Sequence, residues 1–473
     1  MATINLDTTH DTICAISTPP GIGGIAVIRI SGNKAIPIAD SIFTSIHPGK
    51  TLQNQPANKA LFGSIHDQDN IIDEVIAIPF HAPHSFTGED TVEISCHGSL
   101  YIQQHIISQL IQQGCRMAEA GEFTRRAFAS GRIDLSQAEA VADLIAANTA
   151  AAHRLAMNQM RGKFSQRLSM LRNDLLEFVS LIELELDFSE EDVEFADRTR
   201  LQNLADNIDN ELQHLADSFA IGNAIKNGIP TTIVGETNAG KSTLLNLLVH
   251  DEKALVSDIH GTTRDVIEDV IIIGGVQFRL IDTAGIRDTH DTIETMGIER
   301  TFDKLKQSNI VIWLIDSTDN PDKITDMAQR IIPLCADKHL IAVFNKADLL
   351  DTQQTERLTA TYNTLPISAE APLFISAKYN TGIDQLTQRL VAIARTSAGG
   401  GGDVIVTNIR HYEALKKALD AIRRVQQGLT TTLSADFIAQ DIRECMHYLG
   451  EITGEITTNE ILGSIFSRFC IGK

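Results

Sequence analysis

Cysteine is scarce and scattered. The six residues, at 14, 96, 115, 335, 445 and 470, form no C-x-x-C pair and no zinc-ligand spacing. That usage excludes a disulfide framework and a structural zinc site, and it fits a reducing compartment. Long apolar runs are missing as well, so no stretch reads as a membrane span. Residues 1–11 lack the basic and apolar blocks of a secretory signal, which makes the cytoplasm the expected location. Positive charge is also short, since 40 Lys and Arg stand against 61 Asp and Glu for a net charge of −21. A broadly basic nucleic-acid binder is thereby excluded, and any RNA contact must use a local patch or a partner.

What is present is ordinary globular material, 43% hydrophobic and 21% charged, in a chain of 473 residues that predicts two or three domains. Between Gly235 and Ser242 it reads G-E-T-N-A-G-K-S, followed by D-T-A-G from Asp282 and N-K-A-D from Asn345. The first string follows an apolar strand, Thr231 to Val234, and opens an amphipathic helix containing Leu244, Leu245, Leu247 and Leu248. Glycines at 235 and 240 let backbone N–H groups wrap onto phosphates where a Cβ would intrude. Lys241 then meets the β/γ charge and Ser242 offers a hydroxyl to Mg²⁺. Asp282 follows a second strand, Gln277 to Ile281, where its carboxylate can hold Mg²⁺ through water and Gly285 can approach the γ-phosphate. Asn345-Lys346-Ala347-Asp348 follows the apolar run Leu340 to Phe344, at the carboxyl end of a strand, where doubly wound folds bind ligands. The Asp348 carboxylate can accept from N1–H and the 2-amino group of guanine, a donor pair that adenine lacks. The three motifs in this order point to GTP rather than ATP. The expected nucleotide contacts are Asn238, Ala239, Gly240, Lys241, Ser242 and Thr243; Ser257, Asp258, Ile259, His260, Gly261, Thr262 and Thr263; Asp282, Thr283, Ala284 and Gly285; Asn345 to Asp348; and Ser376, Ala377 and Lys378.

Texture divides the rest of the chain. Up to about residue 120 short strands dominate, at Thr12 to Ile16, Gly24 to Ile30, Ile72 to Ile78 and Thr91 to Ser95, and a helix over Tyr101 to Gln113 sets Ile102, Ile106, Leu110 and Ile111 on one face. Glu93, between Val92 and Ile94, and Arg29, between Ile28 and Ile30, fall on polar strand faces. Long helices follow, with stripes at Phe164, Leu168, Leu171, Leu175, Phe178 and Ile182, and at Leu201, Leu204, Ile208, Leu212, Leu215 and Phe219. The acidic run Glu190 to Asp197 reads as a solvated segment between helices. Past the linker Ser397-Ala-Gly-Gly-Gly-Gly-Asp, helical periodicity returns at Leu415, Leu419, Ile422, Val425 and Leu429. The expected architecture is multidomain α/β: an α+β domain at 1–120, helices at 121–222 and 395–473, and a Ras-like doubly wound P-loop domain at 223–394 inserted between them.

Beyond these motifs, Asp11-Thr-Ile-Cys-Ala-Ile-Ser-Thr-Pro-Pro-Gly, Ser85-Phe-Thr-Gly-Glu-Asp, Gly121-Glu-Phe-Thr-Arg-Arg-Ala-Phe, Asp134-Leu-Ser-Gln-Ala-Glu-Ala and the terminal Phe469-Cys-Ile-Gly-Lys together resemble the MnmE family, also called TrmE, essentially end to end. The resemblance implies a tRNA-modification GTPase that works with the flavoprotein MnmG (GidA), in a heterotetramer of two plus two, to install an aminomethyl or carboxymethylaminomethyl group at C5 of the wobble uridine of certain tRNAs. It implies a homodimer formed through an N-terminal domain that binds 5-formyl-tetrahydrofolate or a related one-carbon folate, with contacts on Arg29, Glu93, Arg132 and Lys473, and it makes Cys470 a candidate modification thiol. Arg132 stands where relatives often have Lys, Ile22 where they usually have Arg, and Thr237 and Ala120 replace common prolines. Cys470 also sits four residues from the end like a prenylation cysteine, but Gly472, Lys473 and the lack of a preceding basic cluster argue against lipidation.

Ile286 follows Gly285 where Ras-like switches carry the glutamine that orients water, so this site must be completed differently. The resemblance points to Glu294 as the water-orienting residue and to K⁺ held by Asn238, Ser257, Ile259 and Thr262, with Thr263 joining Ser242 on Mg²⁺. A competing reading makes the chain a regulatory GTPase of ribosome assembly, and the G domain alone does not separate the two. The N-terminal domain, the terminal Cys-Ile-Gly-Lys and the acidic balance favour modification.

Overall fold

The computed structural model describes residues 11–68, 70–187, 198–250, 269–281, 305, 307–366, 371–398, 404–431, 434–467 and 469–472. The chain divides into two compact units: Met1–Ala142 with Gln159–Ile208 and Lys417–Lys473, and Asp143–Asn158 with Asp209–Lys416. The first unit is therefore discontinuous, its sequence interrupted by the second.

In the first unit, alternating apolar residues build a seven-stranded sheet in the order β3-β4-β5-β6-β2-β1-β7. Its strands are β1 Ile13–Ile16, β2 Ile25–Ser31, β3 Phe43–Ser45, β4 Leu61–Asp67, β5 Asn70–Phe80, β6 Thr91–His97 and β7 Arg116–Met117. All neighbours are antiparallel except β1 and β7. Ala26, Ile28 and Ile30 of β2 and Val92, Ile94 and Cys96 of β6 are buried on one face, which α1 (Ala35–Ile42) and α2 (Leu100–Gln112) cover. Arg29 and Glu93 take the other face, as their alternation predicts. On α2, Ile106 and Leu110 are buried, but Ile111 is exposed and Ile107 fills the core in its place. Ile102 packs against the same core as expected, so Ile111 alone of the four expected positions lies off the face.

Helices follow: α3 (Glu122–Ala129), α4 (Leu135–Ala146), α5 (Ala150–Met160), α6 (Lys163–Asp187) and α7 (Arg198–Asn227). The α6 stripe is buried at all six expected positions, and that helix packs on α13 (Ala435–Thr453). Arg424, near the end of α12 (Ile409–Thr430), reaches Asp441 at 2.7 Å and Glu444 at 2.5 Å on α13. The last helix, α14 (Asn459–Phe466), lays Leu462 and Phe466 with Phe469 against Leu135, Ala138 and Val141 of α4. The six cysteines are free thiols, five buried and Cys470 exposed.

The second unit is built on a six-stranded sheet, β13-β12-β11-β8-β10-β9, formed by β8 (Ile229–Val234), β9 (Asp269–Ile273), β10 (Val276–Leu280), β11 (Ile310–Asp316), β12 (His339–Asn345) and β13 (Leu373–Phe374). All pairs are parallel except β9 with β10. The buried runs Ile310–Ile315 and Ile341–Asn345 are what a sheet covered on both faces requires. One apolar cluster gathers α8 (Lys241–His250) and α11 (Ile383–Ala398), and the other gathers α9 (Pro321–Ile331) and α10 (Thr352–Asn363).

Candidate nucleotide and one-carbon sites

The phosphate loop is built by exclusion. Gly235 leaves β8 so close to β11 that a Cβ would lie 2.1 Å from the Leu314 carbonyl oxygen. Gly240 has φ +97°, and a Cβ there would lie 2.3 Å from Nδ2 of Asn345. Between them Asn238 adopts the left-handed conformation, φ 65°, with its side chain exposed. The loop thus wraps as its glycines predict and enters α8 at Lys241. Lys241 Nζ donates to the carbonyls of Gly235 (2.8 Å) and Glu236 (2.7 Å). Burial pushes its ammonium below the usual lysine range, with Glu236 opposing that shift. A phosphate arriving at this helix start finds a half-desolvated cation and converging N–H groups. Ser242 and Thr243 follow in the first turn of α8, the former half-buried and the latter exposed.

Asn345 does more than its motif suggests. Buried at the end of β12, it donates from Nδ2 to the Ala239 carbonyl at 2.8 Å and accepts the Ala377 N–H on Oδ1 at 3.0 Å. One amide ties the phosphate loop to the segment Ser376-Ala377-Lys378. Ser376 Oγ donates to Asp348 Oδ1 at 2.5 Å, which orients that carboxylate and leaves its second oxygen for a base. Lys346, with φ 63°, reaches back to Asp316 at the end of β11. Burial alone would raise the Asp316 carboxyl, but Lys346 and the Thr318 amide and hydroxyl hold it below the usual carboxylate range. Lys378 is exposed and lies over the Tyr379 ring at 5.0 Å. Asp316 and the Glu236–Lys323 ion pair beside the loop escaped the sequence reading, although Asp316 closes an apolar strand much as Asp282 follows one. The expected contacts Ser257, Asp258, Ile259, His260, Gly261, Thr262, Thr263, Asp282, Thr283, Ala284, Gly285 and Glu294 lie outside the described residues, as does the acidic run near Glu190.

In the first unit, Arg29 and Glu93 are cross-strand partners in the β2–β6 register. Arg29 Nε and Nη2 both donate to Glu93 Oε1, at 2.9 and 2.7 Å. The guanidinium lies between the Phe86 and Phe123 rings, 5.2 and 5.6 Å from their centroids, and its Nη1 is buried with no hydrogen-bond partner. An orphaned buried donor beside a carboxylate is what a polar heterocycle would satisfy. Phe123 is held by α3, whose Glu122 is fully buried. That carboxylate accepts Arg116 Nη2 at 2.7 Å, Arg126 Nη2 at 3.0 Å and the Glu119 N–H at 2.8 Å. The C-terminal tail closes beside it: Ile471 bridges Ala120, Gly121 N–H reaches the Cys470 carbonyl at 3.4 Å, and Ser17 Oγ donates to the Gly472 carbonyl at 3.2 Å. Arg132 is exposed in the turn after α3, and Lys473 lies outside the described residues. Sequence reasoning missed Phe86, Phe123 and Ser17, because only the packing brings them to Arg29 and the tail.

Comparison with known proteins identifies the family. The model for the MnmE helical domain matches residues 135–470, and that for the GTP-binding protein TrmE N-terminus matches 12–132. The chain belongs to the MnmE family. It is 57% identical over 464 residues to the tRNA modification GTPase MnmE of Bacteroides thetaiotaomicron, covering 98% of this chain and 100% of that protein. It is 56% identical to that of Parabacteroides distasonis over the same coverage, and 51% identical to that of Flavobacterium psychrophilum over 98% and 99%. The two MnmE models meet between Arg132 and Leu135, in the turn that joins α3 to α4. No helix among the described residues is long and apolar enough to cross a membrane.

Proposed function

We propose that this chain hydrolyses GTP in the service of tRNA modification, adding an aminomethyl or carboxymethylaminomethyl group to C5 of the wobble uridine together with the flavoprotein MnmG, as a homodimer in the cytoplasm. The observation that carries the GTPase half is the Asn345 amide, which holds the phosphate loop at Ala239 and the base-side segment at Ala377, so that Lys241 and Asp348 belong to one site. Gly240 leaves a cradle that a Cβ would fill, and the hydroxyl of Ser242 in the following turn suits Mg²⁺. Bound there, Mg²⁺ would neutralise phosphate charge, with Thr263 as its second protein ligand. Lys241 binds the same phosphates, and the loop amides orient them. Asp348 selects guanine. Asn238, turned outward by its left-handed backbone, suits K⁺ together with Ser257, Ile259 and Thr262. Such a cation supplies the positive charge that an arginine finger gives elsewhere. Glu294 orients the attacking water.

The modification half rests on Arg29 and Glu93 with their orphaned Nη1, which fit the head of a one-carbon folate, 5-formyl-tetrahydrofolate or a relative; Arg132 and Lys473 complete the contacts. When bound, the folate supplies the one-carbon unit. This chain's residues bind and orient it, and Cys470, the exposed thiol on the docked tail, is the one open to take part. The division at residues 120, 222 and 394 goes with this reading, separating folate, helical and GTP functions. The test is mass analysis of wobble uridines from cells lacking the protein. Loss of the C5 substituent is expected, and unchanged nucleosides reject the modification role.

A further inference from the structure

The phosphate loop carries a charge of the wrong sign. Glu236 follows Gly235 directly, inside a loop that receives a strongly negative triphosphate, and its own carbonyl accepts Lys241 Nζ at 2.7 Å. The Glu236 carboxylate opposes the burial that lowers the Lys241 ammonium, so its charge is felt at the lysine that meets the phosphates. A carboxylate so placed offsets part of the attraction that Lys241 exerts, unless a second cation neutralises it.

That cation is Lys323. Its Nζ pairs with the Glu236 carboxylate, 87 residues earlier in the chain, and lies 3.3 Å from Asp319. Lys323 stands in the first turn of α9, which Pro321 opens and Asn320 caps by accepting the Asp322 N–H at 3.3 Å. The positive end of a helix disfavours a cation, so its carboxylate partners hold Lys323 there against the field of its own helix. Ile324 and Ala328 are buried, which fixes α9 on the sheet and Lys323 at the side of the loop. Behind them, Asp316 pairs with Lys346 and accepts the Thr318 N–H and hydroxyl. Among the described residues, the carboxylates Glu236, Asp316 and Asp319 thus face the lysines Lys241, Lys323 and Lys346, and their charges cancel. The Glu236–Lys323 pair is partly open to solvent and adds little to stability, so its effect is on the field at the loop.

We infer that Lys323 is a positioning residue for nucleotide affinity: acting through Glu236 rather than on the phosphates, it cancels the carboxylate of the phosphate loop and sets the preference for triphosphate over diphosphate. The inference rests on the GTP reading above. Without Lys323 the loop holds an uncompensated carboxylate, whose repulsion grows with the number of phosphate charges and is screened by salt.

The test is titration of the full chain with a non-hydrolysable GTP analogue and with GDP, in Mg²⁺, at low and at high ionic strength. Lys323→Ala is expected to weaken the analogue about three- to tenfold at low salt, to weaken GDP less, and to approach the parent in high salt. Lys323→Arg, which keeps the charge, is expected to bind as the parent does. Glu236→Gln gives the readout that a merely structural ion pair would not move. It removes the pair just as Lys323→Ala does, yet it is expected to bind the analogue at least as tightly as the parent, and to cancel the loss when the two changes are combined. Recovery in the combined variant also shows that the loss in Lys323→Ala is not misfolding. If Glu236→Gln weakens binding as Lys323→Ala does, the assignment is overturned and the GTP reading stands. The same follows if Lys323→Ala weakens both nucleotides equally at both salt concentrations, or leaves both unchanged. If the parent binds neither nucleotide, the GTP reading itself fails.

Discussion

At the scale of residues, the most informative side chains are those whose second partner the sequence could not name. Asp348 was legible as a base reader, but its orientation by Ser376 was not, because 28 residues separate them and only the β12–β13 pairing brings them together. Asp348→Asn should weaken GTP by roughly 1.5 to 3 kcal/mol, since a charged hydrogen-bond pair is lost, and should shift preference toward a xanthine nucleotide, whose 2-oxo group suits the amide donor. Nucleotide titration of both proteins checks this, and equal GTP affinity would remove Asp348 from base reading. Glu122 makes the opposite case, a carboxylate read from sequence only as part of a motif yet fully buried in the structure. Burial alone would raise its carboxyl, but hydrogen bonds from Arg116, the Glu119 amide and Arg126 hold it below the usual range. A depressed folded-state value contributes stability that is present above the ordinary glutamate value of 4.5 and is lost as pH falls through the folded value. Glu122→Ala should therefore cost about 1.5–3 kcal/mol at neutral pH, because the buried Arg126 and the half-exposed Arg116 each lose one charged hydrogen-bond partner while Asp11 still pairs with both and Glu89 with Arg126. Urea unfolding of the parent should show a decline below pH 4.5 that Glu122→Gln flattens.

Elements were legible where periodicity was long and blurred where it was short. The α6 stripe ran true from Phe164 to Ile182 in a helix of 25 residues, because one buried face repeats often enough to fix its phase. On α2, 13 residues left the edge of the face open, and Ile107 rather than Ile111 joined Ile102, Ile106 and Leu110 at the core. β3 and β4 were not foreseen, since three residues of β3 and the mixed Leu61–Asp67 carry no clear alternation. The terminal segment 469–472 was recognised as a motif, but its seat was invisible until Phe469 was found against α4 and Ile471 against Ala120. That seat depends on Gly472, which has φ +99° and would place a Cβ 2.3 Å from the Ile16 carbonyl oxygen. Gly472→Ala should therefore lift the tail, raising hydrogen exchange around 469–472 and weakening formyl-folate binding, while GTP affinity stays at the parent's level. Removing Cys470 to Lys473 should give the same pattern in stronger form and abolish wobble modification. Undiminished folate affinity after truncation would take the tail, and Lys473 with it, out of the site.

For the whole molecule, a GTPase unit that interrupts another unit in sequence joins one nucleotide cycle to one modification reaction, and the cycle must be switched on where it is useful. Ile286 occupies the place of the usual water-orienting glutamine, so hydrolysis needs both a substitute for that side chain and a positive charge near the β/γ bridge. Asn238, left-handed and exposed at the turn of the phosphate loop, can give an oxygen to a monovalent cation without disturbing the Lys241 and Asn345 contacts that hold the loop. A cage of carbonyl and amide oxygens selects by size, and on the reading proposed above Ser257, Ile259 and Thr262 complete it and have to close over the ion. Docking of two G domains across a homodimer can supply that closure. Turnover should therefore be faster in K⁺ than in Na⁺, and a transition-state analogue should draw the G domains together in K⁺ alone. Asn238→Ala should remove the response to K⁺. Glu294→Ala should lower turnover with modest loss of GTP affinity, the pattern of an interaction made chiefly in the transition state. Steady-state hydrolysis and analogue-induced association in the two salts measure both halves. Equal rates and association would reject the cation, and undiminished turnover in Glu294→Ala would leave water orientation to another residue.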